Sequence, residues 1–330
     1  MFTESYNGTA WAELNDLNTA RYGIAGGGTQ TSALGFGGDS DPPVQAVTES
    51  WNGTNWTEVN DLQTARVYLG GVANDSTAAL AFGGSPPGTT ALTESWNGSS
   101  WTEVNDLNKA KRYLGSAGTA TAALAFGGDP TPSGDTESWN GTNWTQLNNL
   151  NFLREYIGGT GATNTAALAF GGKPNQAETE LWNGTNWTEV NDLNTARRAL
   201  GGVGSNTAAL AFSGQPAKNE TEVWNGTNWT EVNNMNTSRT ALAGAGTTTA
   251  ALGFGGEDTP PSTISGKTED WNGVSWVEVA DLNSARYYLT GAGTSTSAVA
   301  AIGLNPSSTY KALSEEWSGS STTTKTISTD

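Results

Sequence analysis

Residues Trp51–Trp56 read WNGTNW, and the same six letters return at Trp139, Trp182 and Trp224. Variants stand at Tyr6 (YNGTAW), Trp96 (WNGSSW) and Trp271 (WNGVSW), with a degenerate copy, WSGSST, at Trp317. The first aromatic residues fall at 6, 51, 96, 139, 182, 224, 271 and 317, a spacing of 42 to 47 residues. That period suits four short strands with their turns, and stacked units of this kind share one continuous core. Asn-Gly favours a tight hairpin because both central residues of a type I′ turn need positive φ, so the two tryptophans are expected to clamp adjacent strands. A phrase repeated identically serves the symmetry of the molecule, which points to scaffold before binding surface.

One unit, from Arg197, reads RRALGGVG, NTAALAFSG, the loop QPAKNE, TEVWNG and TNWTEV, then the linker NNMNTS before Arg239. Each piece is short and bounded by Gly, Asn, Ser or Pro, with no helical periodicity, so the four are read as strands a, b, c and d. In strand b, Leu34, Leu80, Leu124, Leu168, Leu210 and Leu252 precede Phe36, Phe82, Phe126, Phe170, Phe212 and Phe254 by two residues. Leu and Phe therefore share a sheet face, and the small residue between them lets a neighbouring sheet approach. In strand a, the third residue after a basic position is aliphatic throughout: Ile24, Leu69, Leu114, Ile157, Leu200, Leu242 and Leu289.

Four-stranded units packed face to face around an axis form a β-propeller, and the seven a and b pairs predict seven blades. The pattern resembles the kelch repeat, in which Gly-Gly ends strand b and an aromatic pair marks strands c and d. The doublets here are Gly37-Gly38, Gly83-Gly84, Gly127-Gly128, Gly171-Gly172 and Gly255-Gly256, while Ser213-Gly214 and Gly303-Leu304 depart from the pattern. WNGTNW is shorter than the kelch form, and Tyr usually comes first there. The expectation is an all-β, seven-bladed propeller of four-stranded kelch-like blades spanning 1–330 as a single domain. Residues 1–20 would supply outer strands of the closing blade, 21–304 the seven a and b pairs with six complete blades, and 305–330 a degenerate c and d segment. Thr3 to Leu14 is thus expected to close the ring on the last blade, with the C-terminal copy displaced to an outer edge or paired with another chain.

The absence of Cys and His removes disulfides, thiolate nucleophiles, the commonest metal ligand and the commonest general base. The copper centre of galactose oxidase, which a similar propeller presents, relies on His and a Cys-crosslinked Tyr, so that activity is not implied. No cofactor, metal or catalytic residue is expected. A net charge of −17 repels a phosphate backbone, so nucleic acid is not an expected partner, and no apolar run is long enough for membrane insertion. The first residues lack a basic n-region followed by an apolar run, so no Sec-type leader is expected. The Asn-X-Ser/Thr matches are turn chemistry, and Gly-rich strings such as Gly23 to Gly28 lack the helix that a phosphate loop needs.

Arg21, Arg66, Lys111, Arg154, Arg197, Arg239 and Arg286 open strand a in one register. Glu49, Glu94, Glu137, Glu180, Glu222 and Glu269 recur in strand c, and Glu58, Glu103, Glu189, Glu231 and Glu278 in strand d. A catalytic pair would be unique, so the periodic carboxylates are expected to tie the strand-a cations structurally. The alternative is a basic, ligand-binding rim at one mouth of the channel.

Variation is concentrated in the b-to-c loops, at 39–47, 85–92, 129–135, 173–178, 215–220 and 257–267. A constant frame with changing loops is how a rigid scaffold presents a recognition face. Near-identical TESWNGTNWTEVNDLNTAR units also resemble tandem propeller proteins of marine bacteriophages. The resemblance implies a non-enzymatic, virion- or tail-associated module, located on the virion or outside the cell, with a host-surface glycan or protein, other virion proteins or a second copy as partners. The alternatives are a carbohydrate-active enzyme using acidic residues alone and a secreted adhesin of a marine bacterium.

Overall fold

The computed structural model describes residues 4–5, 17–40, 43–86, 88–216, 218–258, 263–301, 303 and 314–317. Among them there is no helix, and the strands form eight sheets. Six sheets repeat one antiparallel order of four strands, consecutive in five of them and interrupted in the sixth by two short strands between b and c. In the first, sheet I, these are Ala25–Thr29, Ser32–Phe36, Thr48–Trp51 and Trp56–Glu58. Sheets II to VI repeat the scheme, with their b strands at Ala78–Phe82, Ala122–Phe126, Ala166–Phe170, Ala209–Gly214 and Ala251–Phe254. A small three-stranded sheet of Arg239–Thr240, Glu257–Asp258 and Thr263–Ile264 sits beside sheet VI. Architecturally this is a β-propeller-like array of repeated sheets.

Packing between sheets follows the alternation of strand b. Leu34 and Phe36 of sheet I share a core with Ala79, Ala81, Trp96 and Trp101 of sheet II. The large face of one sheet thus enters the small, alanine-lined face of the next, and the same cluster recurs from sheet to sheet. Phe36 meets Trp101 edge-on at 4.9 Å, and the Trp101 indole N–H donates to Thr48 Oγ1 of sheet I at 2.8 Å. The first tryptophan makes its hydrogen bond within its own sheet: Trp51 is buried and donates to the Gln30 carbonyl of the a-to-b turn at 2.6 Å. Both tryptophans of the repeated phrase are therefore scaffold.

The hairpin between them differs from the expected two-residue type I′ turn. Trp51 pairs with Trp56, leaving four residues in the loop, and only Gly53 has positive φ, at 90°. Asn52 Oδ1 accepts the amides of Thr54 and Asn55 at 2.9 and 2.8 Å, so its side chain closes the turn that a second left-handed residue would otherwise form. Strand a also begins later than expected: Arg21 lies four residues before Ala25, in the linker.

In sheet VII the order is Thr290–Thr294, Ser297–Ala301, Ser314–Trp317, Glu4–Ser5. Trp317 stands opposite Ala298, as Trp271 stands opposite Ala251 in sheet VI. The C-terminal copy is thus not displaced to an edge but pairs directly with the preceding strand, as sequential strands tend to do. The N-terminal strand reaches this sheet as its outermost member, parallel to Ser314–Trp317. The rest of Thr3 to Leu14, together with Thr322, lies outside the described residues.

Where the c strands of sheets I to V carry Ser50, Ser95, Ser138, Leu181 and Val223, sheet VI carries Asp270. It lies opposite Leu252, whose cluster contains Ala298 and Ala300 of sheet VII. Burial pushes its carboxyl up to about 6. A carboxyl raised in the folded state favours folding while protonated, so its contribution is lost as pH rises from about 4, the unfolded value, through about 6. Asp270→Asn should therefore stabilise the protein at pH 7.5 by about 1–2 kcal/mol, a figure limited by solvent screening, and leave it unchanged at pH 3.5. Thermal melts at both pH values check this; an equal gain at both would mean that the charge is irrelevant.

Candidate functional site

The basic column lies in the interior. Arg21, Arg66, Arg154, Arg197, Arg239 and Arg286 have no exposed surface, and Lys111 is 2% exposed. Arg21–Glu49, Arg66–Glu94, Lys111–Glu137, Arg154–Glu180, Arg197–Glu222 and Arg239–Glu269 pair at 2.5–3.1 Å. Each arginine also donates to sheet carbonyls, as Arg239 does to Gly255 and Lys267 at 2.8 and 2.6 Å, and Arg286 to Ala300 at 3.4 Å. The second carboxylate oxygen of Glu49 accepts the Asn18 amide at 2.5 Å, which fastens the linker to strand c. Burial lowers the pKa of the six cations in these pairs, and the paired glutamates oppose the shift. This geometry fits the structural ties expected from the two periodic columns.

The repeat breaks its symmetry one and two residues later. Two past the cation stand Gly23, Tyr68, Tyr113, Tyr156, Ala199, Ala241 and Tyr288, with φ of 63, 56, 52, 52, 48, 53 and 52°. Left-handed backbone is uncommon for a bulky L-residue, and here it is locked from one sheet to the next. The Tyr68 amide donates to the Gly23 carbonyl at 2.8 Å, Tyr113 to Tyr68 at 3.2 Å, Tyr156 to Tyr113 at 3.4 Å, Ala241 to Ala199 at 3.1 Å and Tyr288 to Ala241 at 2.9 Å. Side chains at this position consequently converge. Tyr68 and Tyr113 lie 4.4 Å apart between ring centroids, Tyr113 and Tyr156 stack at 4.6 Å, and Tyr22 meets Tyr68 edge-on at 5.9 Å.

Together with Tyr288, Ile24 and Leu289 these rings line a cavity of about 380 Å³. Burial raises the pKa of Tyr113, as do its hydrogen bonds to Tyr156 and Tyr68; burial likewise raises Tyr156 and Tyr288. The phenols of Tyr113, Tyr156 and Tyr288 are therefore neutral at physiological pH and offer hydroxyl groups and ring faces.

The residue one past the cation bridges to the first residue of the variable b-to-c loop: Tyr22 to Asp39, Val67 to Ser85, Arg112 to Asp129, Glu155 to Lys173 and Arg198 to Gln215. The cavity thus opens at the end of the sheets that carries the variable loops. Arg112–Asp129 and Lys173–Glu155 form ion pairs at 2.7 Å with their charges exchanged between the two positions. Both cations lie over tyrosine rings, Arg112 at 5.1 Å from the Tyr113 centroid and Lys173 at 5.9 Å from that of Tyr156.

Among the described residues there is no group of three or more Asp and Glu placed to hold a metal ion, and no helix is long and apolar enough to cross a membrane. In the sequence the only signal of the tyrosine column is that the two positions after the cation change while the cation before them and the aliphatic residue after them stay constant. No protein-family model matches the chain, and no curated protein matches it.

Proposed function

We propose that the chain is a non-enzymatic recognition module: a seven-bladed, kelch-like propeller that binds a ligand at its tyrosine-lined mouth, on the face of the b-to-c loops. Ring closure is supported by the core in which Val299 of sheet VII joins Ala33, Trp51 and Trp56 of sheet I, the counterpart of the clusters between successive sheets. The resemblance to phage tandem propellers supports a host-surface ligand and a place on the virion or outside the cell. The observation that carries the reading is the tyrosine column itself. A scaffold position would repeat; this one alternates between Tyr, Ala and Gly on an identical strained backbone.

The test uses Tyr68→Ala and Tyr113→Ala. Alanine already occupies this backbone at Ala199 and Ala241, so both variants should fold. Saturation-transfer NMR against a panel of oligosaccharides, small aromatics and peptides should yield binders that lose about tenfold in affinity in either variant. Binders indifferent to both substitutions, or converted to products, would overturn the reading in favour of another surface or an enzyme.

A further inference from the structure

The interruption of the tyrosine arc deepens the reading just given and rests on it. Tyr156 and Tyr288 are separated by two consecutive alanine positions, Ala199 and Ala241. Their φ of 48 and 53° matches the 52–56° of Tyr68, Tyr113, Tyr156 and Tyr288, so their Cβ atoms leave the backbone as the tyrosine ones do. The space where two further rings would lie is a cavity of about 220 Å³. Tyr156 and Tyr288 flank it, and Leu200, Leu242 and Leu289 form its apolar floor.

No charged side chain lines this cavity, so an ionic ligand would be desolvated without a partner. A sugar ring would bring several hydroxyls to a wall of alanine and leucine, leaving most of them unsatisfied. A flat neutral ring meets neither cost. Placed against Tyr156, it would continue a stack whose members already stand 4.4 and 4.6 Å apart. A hydroxyl on that ring would lie beside the phenol of Tyr156, which lines the cavity. We propose that the cavity between Tyr156 and Tyr288 binds a neutral, phenol-like aromatic ring, which takes the place of the side chains that Ala199 and Ala241 lack. The ring belongs either to a free small molecule or to a tyrosine of a partner polypeptide.

Four probes decide between the possibilities by NMR titration of the full chain: p-cresol, acetyl-Gly-Tyr-Gly-amide, methyl α-glucoside and tetramethylammonium. Saturable binding of p-cresol or the peptide is expected, with p-cresol alone assigning a free small molecule and a markedly tighter peptide assigning a polypeptide. Ala199→Tyr/Ala241→Tyr completes the arc with side chains that this backbone accommodates elsewhere, and should weaken the aromatic probes by at least about tenfold while the fold persists. Near-UV circular dichroism and Tm verify the fold; should the double variant unfold, Ala199→Phe alone supplies the same comparison. Undiminished aromatic binding in the filled variant overturns the proposal, as does absence of aromatic binding in the wild type. Binding of methyl α-glucoside or tetramethylammonium in place of the aromatics also overturns it. The recognition reading fails separately, when binders ignore Tyr68→Ala and Tyr113→Ala.

Discussion

Glu222→Ala is expected to lower the free energy of unfolding by about 3–5 kcal/mol, the scale of a buried ion pair broken on one side. Arg197 and Glu222 are both fully buried and meet at 3.0 Å. Burial pulls Arg197 below its ordinary pKa, and Glu222 is the largest influence opposing that shift. Without it the guanidinium is a charge in the interior with only carbonyl partners, Glu220 at 2.8 Å and Ala211 at 3.4 Å. The Asn194 amide, 2.6 Å from Glu222 Oε2, loses its acceptor as well, and the Asn194 side-chain nitrogen, 2.8 Å from the same oxygen, keeps only the Trp229 carbonyl at 3.3 Å. Glu231→Ala, on the exposed outer strand opposite Glu222, should change stability by less than about 0.5 kcal/mol. Arg197→Met/Glu222→Leu should recover part of the loss, since a well-packed apolar pair can replace an ionic one, but not all, because the two carbonyls then lack a donor. Urea unfolding gives the ranking. Equal losses for Glu222→Ala and Glu231→Ala would show that the inner carboxylate is no tie.

That inner pair was legible because both partners recur with the period of the repeat, so any structure joining one pair joins them all. Burial of the cations was harder to foresee: a basic column beside variable loops leaves a rim open as an alternative until a carboxylate from strand c of the same unit is placed against it. Turn type was misread for a local reason. Asn-Gly is compatible with two left-handed residues, but at Asn52 the side chain takes over the capping and Gly53 alone needs positive φ. The tyrosine column was hidden for the opposite reason. Nothing in the amino acid Tyr announces left-handed backbone; Tyr68 adopts it because its amide is held by the carbonyl of Gly23 in the unit before, a contact 45 residues away in sequence. Sheet VII was ambiguous because two copies of the aromatic phrase compete for one place, and chain order alone does not choose between them. Pairing chose the copy that follows its neighbour directly.

Trp182→Ala and Trp187→Ala should each cost about 3–5 kcal/mol, but through different contacts. Trp187 reaches out of its sheet: its ring lies 5.1 Å from Phe126, and its indole N–H donates to Thr136 Oγ1 at 2.8 Å, both in sheet III. Trp182 belongs to the same core cluster as Leu124 and Phe126, but its hydrogen bond stays within sheet IV, to the Asn164 carbonyl at 2.9 Å. The two rings also touch, with centroids 5.3 Å apart, so the double variant should fall short of the sum by about 0.5–3 kcal/mol. Hydrogen exchange separates the roles. Trp187→Ala should deprotect amides of Thr136–Trp139 in the neighbouring sheet, whereas Trp182→Ala should act first on the turn before Ala166. Trp187→Phe keeps most of the packing and loses the donor, so it should cost only about 1–2 kcal/mol. If Trp187→Ala leaves protection in sheet III untouched, the indole is not what joins the two sheets. The contact of Leu124 and Phe126 with Ala167 and Ala169 would then hold the seam alone.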